Sequence, residues 1–332
     1  MKKSLFKAII MICCILSLCA CGKTGGETTS GTASEGAKEI KIAYQYGLAY
    51  APLVVCQEKK MIEEAYRKAT GKEVTVTWTQ MSSGADINTG IAAGELSVGF
   101  MGVAPAISGV SKSVGYKIFT NLSGQEHGMM SNDGSINSLA DLAGSEAQIA
   151  LVNIGSIQHI ILGKALSDNG YDAHLLDANI VAMKHPDGMA ALESGSVACH
   201  LTSSPYIFRE HENAELHEIP EINAAWPVRN SFIVGVASTE LHDQDPELYA
   251  ALCSAISEAI DYLNSNKEEV ASMTCEYDGN SAEDELKYLE KGVYTPDTKG
   301  VYELSGFMYE NGFIENAFSA YSDLVFENVK GD

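Results

Sequence analysis

The chain has 332 residues, 45% of them hydrophobic, and a formal net charge of −22. That apolar share suits one large folded core or two ordinary ones, and the acidity argues against nucleic acid or an anionic membrane surface as a partner. There is no GxSxG, no P-loop and no GxGxxG, and His211-Glu212-Asn213-Ala214-Glu215 stops short of the HExxH of zinc proteases. Neither catalysis, nor a metal, nor a cofactor is expected.

In chain order, Lys2, Lys3 and Lys7 flank an apolar run of eleven residues, 8–18. A span needs about 20 apolar residues, so this run reads as the core of a secretion signal rather than a membrane helix. It ends in Leu18-Cys19-Ala20-Cys21-Gly22, which resembles a bacterial lipobox. That resemblance implies cleavage after residue 20 and a lipid on Cys21; an ordinary signal peptide with a chance cysteine is the alternative. Loss of residues 1–20 removes three lysines and no acid, taking the charge from −22 to −25. Residues 21–38 are rich in Gly, Ser and Thr without apolar periodicity, the composition of a flexible tether. Localisation outside the cytoplasm, held to the membrane through Cys21, follows.

The folded part opens with a strand at 41–44 and a helix over 51–68, stopped by Gly71. Strands follow at 74–78, 97–101 and 116–122, with a short helix around Ile87 and Ile91. A second stretch repeats the pattern. Its strands are 148–152, 179–183, 197–201 and 231–237, and its helices carry Ile157–Ile161, 187–193 and 204–211. Helices end the chain, clearest over 246–265 and 282–290. Strands alternating with helices define an α/β fold with largely parallel sheets. Cys56, Cys199, Cys253 and Cys275 remain after the signal and fit no metal or redox spacing; they read as small buried hydrophobes, with Cys253–Cys275 the nearest candidate pair.

In parallel sheets, ligands sit beyond the carboxyl ends of the strands, at helix starts. Here those places carry Ser82-Ser83-Gly84, Gly102 with Pro105, Gly155-Ser156, His185-Pro186-Asp187 and Ser203-Ser204-Pro205. Glycine admits a ligand to the backbone, and serine caps a helix or donates a bond. Ser82, Ser83, Gly84, Gly155 and Ser156 are the first candidates for a binding site. Tyr46 and Tyr50 could wall its apolar side, and Gly102, His185, Ser204 and Asn230 come next. Capping alone also accounts for the serines.

The order and spacing of these segments resemble the nitrate/sulfonate/taurine group of ABC-transporter solute-binding proteins, itself related to thiamine-pyrimidine synthases. The matching segments include Lys41-Ile42-Ala43-Tyr44-Gln45, Met81-Ser82-Ser83-Gly84, Ile91-Ala92-Ala93-Gly94-Glu95-Leu96, Ser138-Leu139-Ala140-Asp141-Leu142 and Met183-Lys184-His185-Pro186-Asp187. Ser97 and Ala198 stand where that group often has Asp, and no Arg stands in the loops, Arg209 and Arg229 being nearest. The resemblance implies a two-lobed periplasmic-binding-protein-like fold of type II with two hinge strands. Lobe one would be 39–122 plus 235–332 and lobe two 128–228. It further implies a monomer that holds a small anion by hinge closure and hands it to an ABC permease and ATPase. A pyrimidine-synthase-like enzyme and an extracellular sensing module are the alternatives.

Overall fold

The computed structural model describes residues 38–332; the signal segment, Cys21 and nearly all of the tether lie outside the described residues. Two five-stranded mixed sheets are flanked by helices. The first comprises β1 (Lys38–Tyr44), β2 (Val74–Gln80), β3 (Val98–Gly102), β4 (Tyr116–Ser123) and β10 (Ile233–Ser238), in the order β2-β1-β3-β10-β4. The second comprises β5 (His127–Ser131), β6 (Ile149–Leu151), β7 (Ile180–Ala182), β8 (Cys199–Ser203) and β9 (His217–Ile219), in the order β7-β6-β8-β5-β9. The two orders are the same pattern used twice. In each sheet the strand in the fourth place runs against its neighbours: β10 is antiparallel to β3 and β4, and β5 is antiparallel to β8 and β9. These are the strands on which the chain arrives from the other sheet, β5 directly after β4 and β10 after the last elements of the second sheet.

The central strands are buried on both faces. β3, β5 and β8 have no exposed residue, which requires helical cover on each side. The first sheet is covered by α1 (Ala51–Glu58), α2 (Met61–Thr70), α3 (Gly84–Ala92), α4 (Val103–Ser111) and α11 (Pro246–Ser265). The long α11 buries Leu252, Ala255, Ile256, Ala259, Ile260 and Leu263 on one face, a 3.6-residue repeat that lies against α1 and α2. Around the second sheet pack α6 (Ile157–Asp168), α7 (His185–Glu193), α8 (Tyr206–Glu212) and α9 (Pro220–Ala225). The C-terminal part also holds α12 (Lys267–Asp278), α13 (Ala282–Lys291) and α14 (Val301–Glu310).

The single helix expected over 51–68 is two helices. Lys60 adopts a left-handed φ of 50° and ends the first, so that α1 and α2 meet α11 separately. β5 and β9 carry no strand signal in sequence. Among the described residues the four cysteines are free thiols, Cys56 and Cys199 buried and Cys253 and Cys275 half-buried. No described helix is long and apolar enough to cross a membrane.

Candidate functional site

Carboxyl-terminal ends of strands from both sheets face one cleft. Gln45 and Tyr46 follow β1, Ser82 and Gly84 follow β2, and Gly102 closes β3. From the second sheet come Val152 and Ser156 after β6, Lys184 and His185 after β7, and Ser203 at the end of β8. The free volume is about 40 Å³, above the roughly 10–15 Å³ that one water requires. Pro105, Ile157, Phe232 and Ile233 supply apolar wall.

Four helices begin at this cleft: α3, α4, α6 and α7. Their first turns leave backbone N–H groups without intrahelical partners and carry positive partial charge. Gly84 allows α3 and α4 to start side by side, because a Cβ there would stand 2.7 Å from Pro105 Cγ. Ser156 caps α6, its side chain accepting from the His159 amide, and it is buried. Lys184 is the charged residue of the lining, and its Nζ lies 5.6 Å from the Tyr46 ring centre. An ammonium, four helix starts and several hydroxyls converge on a small, partly apolar space. That arrangement suits a compact anion with a short apolar body.

His185 serves the frame of the site. Thr202 Oγ1 lies 3.0 Å from its Nδ1 and Gln158 Nε2 lies 3.2 Å from its Nε2, so both ring nitrogens are engaged. Burial holds its pKa down to about 3, a neutral ring. Gln158 N–H donates to Nε2, and Nδ1–H then faces the threonine. Tyr50 is buried, its hydroxyl donates to Gln45 Oε1 at 3.2 Å, and burial raises its pKa.

Of the residues anticipated from sequence, Tyr46, Tyr50, Ser82, Gly84, Gly102, Ser156 and His185 line the cleft. Ser83, Gly155, Ser204 and Asn230 do not. Ser83 turns back on α3, accepting from the Asp86 amide at 3.1 Å and donating to its carboxylate at 2.8 Å. Gly155 turns the loop at a φ of 83°, and its amide donates to His159 Nδ1 at 2.9 Å. Ser204 is buried beside Gly47, and Ser203 takes the lining position. Asn230 packs against Gly300 of the C-terminal part. Arg209 does not line the cleft either, and its Nη2 donates to the Gly279 carbonyl at 3.0 Å. Lys184 and Gln158 were not anticipated as contacts. Both occupy the first turn or cap of a helix that starts at a strand end, which is the signal that could have found them.

The shared strand order and inter-sheet cleft define the periplasmic-binding-protein fold. Solved structures agree. The periplasmic aliphatic sulphonate binding protein of Escherichia coli superposes with a TM-score of 0.67 at 17% identity, over 88% of this chain and 93% of that one. The alkanesulfonate-binding protein of Xanthomonas axonopodis pv. citri, bound to MOPS, gives 0.70 at 14% identity, over 90% and 100%. The periplasmic nitrate-binding protein of Synechocystis PCC 6803 gives 0.66 at 14% identity, over 87% and 84%. The chain belongs to the NMT1-like family, whose profile matches residues 33–277. No curated protein matches its sequence.

Proposed function

We propose that this protein is the extracytoplasmic solute-binding component of an ABC importer, and that it captures a small anion such as a sulfonate, taurine or nitrate-like compound. The observation that carries this reading is the meeting of four helix N-termini, two behind each sheet, with Lys184 at one small cleft. Sulfonate and nitrate binding by structural neighbours supports the same ligand class. On this reading capture involves no bond chemistry, and His185, engaged at both ring nitrogens, frames the cleft. The lobes are 39–122 with 235–332, and 128–228, hinged where β4 passes to β5 and where the chain returns to β10. Closure of the hinge buries the anion, and the closed form is what an ABC permease and its ATPase receive. Lipid on Cys21 keeps the mature chain, a monomer, at the membrane.

Thermal unfolding with methanesulfonate, taurine, nitrate and simple carboxylates tests the ligand class. A true ligand at a hundredfold excess over its Kd stabilises by about 2.7 kcal/mol. Stabilisation by cations or neutral heterocycles alone would refute the anion assignment. For the anchor, Cys21→Ser should release the protein from membranes, and lipid labelling that persists in the variant would refute it.

A further inference from the structure

Behind the Gly155–Ser156 loop lies a chain of side chains that the cleft itself does not use. The Gly155 amide donates to His159 Nδ1 at 2.9 Å, and His159 Nε2 lies 2.8 Å from Asp177 Oδ1. The other oxygen of Asp177 is 2.8 Å from His174 Nδ1, and His174 Nε2 is 2.8 Å from the Asn311 carbonyl. Asn311 follows α14, which packs on α4 behind the first sheet, whereas His159 and His174 belong to the second. Phe313 seals the junction. Its ring lies 5.3 Å from that of His159 and 4.3 Å from that of His174. It fits there because Gly163 has no side chain: a Cβ would stand 2.7 Å from Phe313 Cζ.

His159, His174 and Asp177 bring three ligand atoms within 4.8 Å of one another, as a metal site would. Proton placement argues against one. Nδ1 of His159 accepts from a backbone N–H, so the ring proton must sit on Nε2, facing Asp177. A metal on Nε2 would force that proton onto Nδ1, against the Gly155 donor. His174 is under the opposite constraint. Its Nε2 faces a carbonyl and its Nδ1 a carboxylate, both acceptors, so the ring completes the chain only with a proton on each nitrogen.

We propose that His159 is a positioning residue for the ligand-facing Gly155–Ser156 loop, and that protonated His174 clasps that loop, through Asp177, to the C-terminal segment at Asn311. The consequence for affinity rests on the binding function proposed above. Facing His174 are Asp177, Asp172 of the preceding loop, neutral His159, and the Asn311 carbonyl with Phe313. Burial lowers the pKa of His174, but the hydrogen bonds and charges of these partners outweigh it and raise it above 6.5. The clasp is therefore complete below about pH 6.5 and is lost as pH climbs through the raised value.

Amide exchange at Gly155 in the mature chain, corrected for intrinsic rates, tests this from about pH 5.5 to about pH 8.5. Protection should be high at the acid end and fall with pH. His174→Gln should give low, flat protection, and His174→Lys, charged throughout, high and flat protection. Asp177→Asn should match His174→Gln and replaces it should that variant fail to fold. Methanesulfonate should bind His174→Gln about three- to tenfold more weakly at the acid end. Equal Gly155 protection in the parent and in His174→Gln would overturn the clasp, and a lysine variant behaving like the glutamine one would overturn its dependence on charge. Zinc that stabilises the parent but not His174→Gln would make the cluster a metal site instead. If none of methanesulfonate, taurine, nitrate and simple carboxylates binds the parent, the proposed function fails, and Gly155 exchange still judges the clasp.

Discussion

Gly102 and Ile157 meet across the cleft: a Cβ on Gly102 would lie 2.9 Å from Ile157 Cγ2 and 3.1 Å from Ile157 Cβ. Gly102 closes β3 of the first sheet, and Ile157 opens α6 behind the second. The missing side chain is what lets the two walls approach. Gly102→Ala should overpack the contact at a cost of about 1–3 kcal/mol to the closed arrangement. Small-angle scattering with saturating methanesulfonate should then show a more extended particle than the parent. An unchanged profile and affinity would mean that the isoleucine gives way freely.

Lys184 is exposed and reaches over Tyr46, so its contribution to anion binding is screened by water. At about 4 Å in water two unit charges attract by about 1 kcal/mol. Lys184→Gln should therefore weaken methanesulfonate binding about fivefold and reduce its salt dependence. Calorimetry at low and high sodium chloride would check both, and an unchanged Kd would place the anion beyond the lysine.

Two capping serines should behave differently. Ser83 is committed to Asp86 and absent from the cleft lining, whereas Ser156 both caps α6 and faces the cleft. Ser83→Ala should lower stability by about 1 kcal/mol and leave anion affinity alone. Ser156→Phe should abolish binding while the chain still unfolds cooperatively in urea. Loss of affinity in Ser83→Ala would bring that residue into the site.

Stability should depend on pH through two buried groups with opposite sign. His127 gives its Nδ1 proton to the Gln125 carbonyl at 3.1 Å, and burial holds its pKa down to about 4. The unfolded chain takes up a proton near 6.5, so the contribution of His127 is present above that pH and lost as pH falls toward 4. Glu210 lies fully buried against His200, and burial raises its pKa. Its unfolded form ionises near 4.5, so its contribution is present below that pH and declines as pH rises. Relative to the parent, His127→Gln should lose less stability on acidification, and Glu210→Gln should lose less toward alkaline pH. Urea midpoints across pH would show the divergence, and parallel curves would refute it.

The strands β1, β2, β3 and β4 were legible because β-branched and apolar residues stand between glycine and serine punctuation, and α11 because its apolar face repeats at helical spacing. β5 was not. His127-Gly128-Met129-Met130-Ser131 has no alternation, since both faces are buried, and it is a strand only because β8 and β9 bond to it on either side. The break at Lys60 escaped for a related reason. A lysine in the left-handed region carries no breaker signal, and the turn exists so that two short helices can each meet α11.

The sequence by itself determined the alternation of strands and helices and the small, hydroxylic character of the loops at the strand ends. Both follow from local chemistry, from apolar period and from the conformational needs of turns and caps. Tertiary structure alone decided which of those loops share a cleft. Ser82 and Ser83 are adjacent, yet one faces the cleft and the other closes on Asp86, because the capping geometry of α3 turns Ser83 back on its own helix. Lys184 and Gln158 join the lining only because the second sheet presents its helix starts to the first. The histidine chain behind Gly155 depends in the same way on Asn311 and Phe313, more than a hundred residues downstream, and no local pattern encodes a contact of that separation.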